Sequence, residues 1–172
     1  MRILLAVDNS RPSANAIQAV ATRPWPEGSV IKVISCAPEL MPAGLPDAAL
    51  GAAIYFDKPR QGFLAEAERI SHAAVRELTA KRLSAHAVVR VGDPVAEILR
   101  EANEWEADLV VVGTHGYTGF KRLFYGSVAE TVVKCAPCSV EVVKRAEAVK
   151  VRGSKLRAVS KQDEPQQVPL AA

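Results

Sequence analysis

Leu109-Val110-Val111-Val112-Gly113-Thr114-His115-Gly116, followed nine residues later by Gly126-Ser127, is the stretch on which the fold turns. Four consecutive apolar residues, mostly valine, suit a strand buried on both faces, and such strands belong to parallel sheets. The glycines after it let backbone N–H groups approach an anion with no Cβ between. A helix opening at Ser127 would turn its positive dipole end to the same place. The stretch reads as a phosphate cradle at the carboxyl end of a buried strand. Ser127 and Glu130 also spell Ser-x-x-Glu, a capping box that competes for the Ser127 hydroxyl while leaving backbone donors free.

Outward from this stretch, short apolar runs alternate with segments of helical period, the pattern of strands joined by crossover helices. The runs are Ile3 to Val7, Val30 to Ser35, His86 to Val91, Leu109 to Val112 and Val140 to Val143. They predict an α/β fold, a single doubly wound, Rossmann-like, five-stranded parallel sheet with helices on both faces. Pro12 and Ser13 open the first helix, with Ala14, Ile17, Val20 and Ala21 toward the sheet, and Pro24 and Pro26 end it. The second helix places Phe63, Ala67, Ile70, Ala74 and Leu78 on one face. Before it, Ala37 to Gly62 reads as a proline-containing loop, a flap beside the site. Gly92-Asp93-Pro94 turns into a third helix with Asp93 as N-cap, Pro94 at its first position, and Val95, Ile98, Leu99 and Ala102 inward. Strand ends at Asp8, Cys36 and Gly113 should then share the ligand edge of the sheet.

Bulk composition narrows the class. With 172 residues there is room for one domain and a tail, and 49% hydrophobic with 24% charged residues fits an ordinary globular chain. The net charge of +3 arises mainly after Val143, where Lys144, Arg145, Lys150, Arg152, Lys155, Arg157 and Lys161 cluster. A nearly neutral folded part with few aromatics offers no nucleic-acid surface. No apolar run approaches the roughly 18 residues that span a bilayer, and the chain opens on a strand with no secretory segment. Cys36, Cys135 and Cys138 form no disulfide framework, so a reducing cytoplasm is expected. From Ala146 to Ala172 the helical period is lost, which predicts a domain over 1–145 and a basic, flexible tail.

These motifs resemble the universal stress protein family. The resemblance rests on Gly113, Gly116, Gly126 and Ser127 at the family's spacing, on Val7-Asp8-Asn9-Ser10, on Val91-Gly92-Asp93-Pro94, and on Ala136-Pro137-Cys138-Ser139-Val140. It covers about residues 1 to 145. It implies ATP or another adenine nucleotide, with phosphates on the backbone of Gly116, Gly126, Ser127 and Val128 and a further bond from the Ser127 hydroxyl. Asp8 would contact the ribose or a phosphate-bound Mg²⁺. The backbone at Ala6 and Cys36 would hold the adenine, with Val112 and Gly113 also at the nucleotide. Two copies would pair antiparallel along the edge strand Ser139 to Val143, giving a homodimer that serves as a nucleotide-dependent switch for a protein partner, with slow or no hydrolysis.

Other readings remain open at this stage. A dimeric scaffold without nucleotide is one; an ATPase or phosphotransferase with Asp8 or His115 as base is another. Asp8 could instead cap the Pro12 helix. Cys135-x-x-Cys138 follows a helix where a redox pair opens one. His72 and His86 have no metal-ligand partner at a suitable spacing. Neither a P-loop nor a Gly-x-Gly-x-x-Gly fingerprint is present.

Overall fold

The computed structural model describes residues 1–40, 50–114 and 126–144, over 50–57 by backbone alone. Among the described residues nine elements alternate: β1 (Arg2–Ala6), α1 (Arg11–Thr22), β2 (Val30–Ala37), α2 (Leu50–Ala80), β3 (Ser84–Val91), α3 (Pro94–Glu104), β4 (Leu109–Gly113), α4 (Ser127–Cys135) and β5 (Ser139–Val143). The strands form one parallel sheet in the order β3-β2-β1-β4-β5, the doubly wound α/β fold expected. The chain steps outward from β1 through β2 to β3, then crosses to the far side of β1 for β4. Strand order thus reverses between β1 and β4, where such a sheet opens a crevice at its carboxyl edge.

Side-chain alternation divides the core into two layers. Ile3, Leu5 and Val7 of β1 and its outgoing loop pack with Val33, Val111, Val20 and Leu78 under α1 and α2. Leu4 faces the other way, with Ile34, Val110, Val112, Ile98, Ala102, Ala129 and Val132 under α3 and α4. Leu5, Val33, Val110 and Val111 are fully buried, consistent with central parallel strands covered on both faces.

Several local expectations need correction. Helix α1 begins at Arg11, with Ser10 as N-cap, so Pro12 occupies its second position. The Ser13 hydroxyl accepts the Asp8 N–H at 3.0 Å, which turns Ser13, Ala16 and Val20 inward and leaves Ala14 exposed. The expected flap over Ala37 to Gly62 is cut short. Strand β2 runs to Ala37, and α2 starts at Leu50, carrying Pro59 within it; residues 41–49 lie outside the described set. A 31-residue helix is about 46 Å long, longer than the eight-residue strands β2 and β3 on which it packs. Lys58 to Phe63 are exposed, so Phe63 is not a core residue.

The capping box is also absent. Glu130 N–H donates to the Gly126 carbonyl at 3.0 Å, making Gly126 the N-cap of α4 and Ser127 its first helical residue. Glu130 falls one position too late to reach back and pairs with Lys134 at 2.7 Å. By contrast, Asp93 caps α3 as expected, accepting the Ala96 N–H at 3.0 Å, with Pro94 in the first turn.

Candidate functional site

A cleft of about 140 Å³ opens at the carboxyl edge of the sheet. Strand ends Ala6 with Asp8, Cys36, and Val112 with Gly113 reach it from β1, β2 and β4, so residues more than 100 positions apart in sequence converge as the topology requires. Gly126 and Val128 bring the start of α4 to the same space. Ser127, between them, is exposed at the first position of the helix. Gly116 and His115 lie outside the described residues.

The cleft lining is of two chemical kinds. Ile34, Cys36, Pro94 and Ile98 give the cleft an apolar part. Cys36 belongs to this part as a neutral thiol: burial, then the nearby Glu97 and Asp93 carboxylates, push its pKa up to about 12, against an opposing pull from Arg90. It supplies apolar surface and no thiolate at neutral pH. The lining also includes the polar residues Asp8, Ser10 and Ser13 and the start of α4 at Gly126 and Val128. There the first turn of α4 has no side-chain cap, a state in which a helix N-terminus attracts anions. The Gly126 N–H is already engaged, donating to the Thr114 carbonyl at 2.5 Å and tying the start of α4 to the residue after β4.

Asp8 stands exposed on the turn between β1 and α1. Its Oδ1 accepts the Ser10 N–H at 3.2 Å and the Ser10 hydroxyl at 2.5 Å, and the Ser10 hydroxyl in turn accepts the Ser13 N–H at 3.2 Å. Asp8 therefore braces the cap of α1 without being the cap. Sequence reading passed over Ser10, Ser13, Pro94 and Ile98 as lining residues. Ser10-x-x-Ser13 ahead of a helical run was a usable signal; Pro94 and Ile98 were read only as helix residues.

Chemistry outside the cleft is sparse. Burial pushes the Cys138 thiol up, partly offset by a backbone hydrogen bond at Val110, which is opposite to the depressed pKa a redox thiol needs. No group of three or more His, Cys, Asp or Glu among the described residues could hold a metal ion. No described helix is long and apolar enough to cross a membrane.

Against known proteins, the model of the universal stress protein family matches residues 1–144. The chain belongs to the universal stress protein family. Universal stress protein Sll1388 of Synechocystis sp. is 28% identical over 148 residues, covering 83% of this chain and 96% of its own length. The solved structure of MJ0577 from Methanocaldococcus jannaschii matches with a TM-score of 0.72 at 22% identity, over 86% of this chain and 97% of its own. A universal stress protein family protein of Arabidopsis thaliana, solved with AMP bound, matches with a TM-score of 0.61 at 19% identity, over 84% and 92% of the two chains. At these identities the two structures attest the universal stress protein fold.

Proposed function

We propose that the cleft binds an adenine nucleotide, ATP in the first instance, and that its occupancy switches the surface this cytoplasmic protein shows to a protein partner. The observation that carries the reading is the meeting, in one cleft at the β1/β4 reversal, of an apolar part with the side-chain-uncapped start of α4. A base suits the first and phosphate the second. The Arabidopsis relative with AMP bound supports the ligand class.

The residues present fit such a group. Phosphates would take the N–H groups of Gly116, Ser127 and Val128 and the Ser127 hydroxyl, with Gly126 giving close approach because it lacks a Cβ. The Gly126 N–H itself is committed to Thr114. Ala6 and Cys36 would present backbone groups to the adenine, beside Val112 and Gly113, and Asp8 would face the ribose or a phosphate-bound Mg²⁺. When bound, the nucleotide would supply the negative charge that the start of α4 attracts.

Hydrolysis in this reading is slow or absent. Among the described lining residues no Arg, Lys, His or Gln is available to stabilise a transferring phosphoryl group or orient a water. Mass spectrometry of small molecules released from freshly purified protein, followed by equilibrium dialysis with labelled ATP, tests the reading. A wild-type protein that retains ATP, and a Gly126→Val variant that does not, is the expected result. Failure of the wild type to bind any adenine nucleotide overturns it, and turnover at tens per second would make the protein an enzyme instead.

A further inference from the structure

We propose that Glu101 is a positioning residue for the nucleotide base: clamped by Lys32 of β2 and Arg90 of β3, it fixes how far α3 stands from the sheet and so sets the width of the base slot. This rests on the reading of the cleft as an adenine nucleotide site.

Glu101 is 3% exposed, yet it carries a carboxylate on the inward face of α3. One oxygen accepts the Lys32 ammonium at 2.7 Å; the other accepts Arg90 Nε at 2.9 Å and its Nη2 as well. Burial alone would raise the Glu101 pKa, but the hydrogen bonds from Lys32 and Arg90 outweigh it and hold the carboxylate below its ordinary value. The ion is thus fully partnered, from two strands at once.

This clamp is continuous with the cleft wall. Lys32, Ile34 and Cys36 lie on one face of β2, and Cys36 is the register partner of Arg90. On α3, Ile98 precedes Glu101 by three residues, so the two share a face. Pro94 and Ile98 from the helix and Ile34 and Cys36 from the strand line the cleft together. Along this α3–β2 contact, one end is the slot and the next rung is the clamp. At the far end, Trp105 lies under the Lys32 ammonium, 4.3 Å from ring centroid to nitrogen, and meets His86 edge-on at 5.9 Å.

Apolar contact is non-directional and draws two surfaces together until they touch. A carboxylate bridging two cations fixes distance and direction, because each bond has a narrow length and angle. Stability alone does not require such a group: apolar residues of equal volume commonly do as well or better. A charged clamp one rung from an open apolar slot holds that slot open at a set width.

The test is Glu101→Gln, with Glu104→Gln as control, since Glu104 approaches the same Arg90 at 3.8 Å from the exposed side of the helix. Two quantities are read. One is affinity for ATP against inorganic tripolyphosphate, which has the phosphates without the base. The other is the alkylation rate of Cys36, followed by peptide-resolved mass spectrometry on the ligand-free protein. Loosening the wall is expected to weaken ATP about tenfold and tripolyphosphate no more than about twofold, and to speed Cys36 alkylation at least about fivefold, with Glu104→Gln unchanged. Parallel loss of both ligands, or an unchanged Cys36 rate, overturns the proposal. If wild-type protein binds no ATP, the nucleotide reading falls and the base-positioning role falls with it, whereas wild-type binding with an unresponsive Glu101→Gln sinks the proposal alone. Should Glu101→Gln fail to fold, Lys32→Met, which keeps the Arg90 partner, carries the same expectations.

Discussion

Gly113 and Pro12 stand in mutual contact so close that a Cβ on Gly113 would lie 2.7 Å from both the carbonyl carbon and oxygen of Pro12. The end of β4 and the first turn of α1 meet here with only a hydrogen between them. Glycine at this position is demanded by packing against backbone that cannot swing away, before any anion is considered. Gly113→Ala is therefore expected to destabilise the fold by about 1–3 kcal/mol, the usual cost of overpacking. A lower urea midpoint at unchanged slope measures it.

Arg82, just past the end of α2, is exposed and has a φ of 64°, in the left-handed region that costs a residue with a Cβ roughly 1 kcal/mol. Its N–H caps the helix by donating to the Thr79 carbonyl at 2.9 Å, a bond that glycine keeps. Arg82→Gly should raise the melting temperature, by the thermal equivalent of several tenths to about 1 kcal/mol.

Arg23 makes two hydrogen bonds to Glu141 on β5, at 2.5 and 2.6 Å, and its guanidinium lies over the Trp25 ring at 5.0 Å. The Arg23 hydrogen bond holds the Glu141 carboxyl below its ordinary 4.5, against the opposing effect of burial. A folded-state pKa depressed below the unfolded value contributes stability that is whole above that unfolded value and is lost as pH falls through the folded one. Acid titration of wild type should show this loss starting below about pH 4.5, and Arg23→Gln should flatten that part of the profile by lowering stability at neutral pH while leaving the acid end little changed.

Asp8→Asn separates charge from shape at the cleft. Asparagine keeps the Oδ1 that accepts both bonds from Ser10, so the turn into α1 should survive. If Asp8 serves a phosphate-bound Mg²⁺, affinity for ATP should fall by about tenfold in the presence of Mg²⁺ and stay nearly constant without it. Isothermal titration with and without EDTA reads the difference.

Strand β5 lies at the end of the sheet order, with Val140 and Val142 only half-buried on an edge that pairs with β4 alone among the described strands. Self-pairing along Ser139–Val143 would cover it. Light scattering at micromolar concentration is expected to give the mass of two chains; a strict monomer would count against the pairing.

How much of this was readable beforehand depends on the range of the forces involved. The five strands and the Asp93-Pro94 start of α3 were legible because each depends on near neighbours: valine-rich runs, a side-chain oxygen three residues from an amide, a proline whose missing N–H costs nothing in a first turn. The start of α2 was not legible because Pro59 and Gly62 look like breakers, and nothing local says that the helix runs through both at exposed positions. Ser127 and Glu130 carried the right letters for a capping box. Gly126 took the cap instead, once its N–H was tied to Thr114.

The sequence by itself determined the element types, the parallel α/β class and the edge at which Asp8, Cys36 and Gly113 would gather, since a parallel sheet with crossover helices places every strand's carboxyl end on one side. Only the tertiary structure decided which atoms meet there. Pro12 beneath Gly113, and Lys32 and Arg90 on either side of Glu101, are pairs set by strand register and by helix standoff. Both arise when distant segments pack, and no local pattern of residues encodes them.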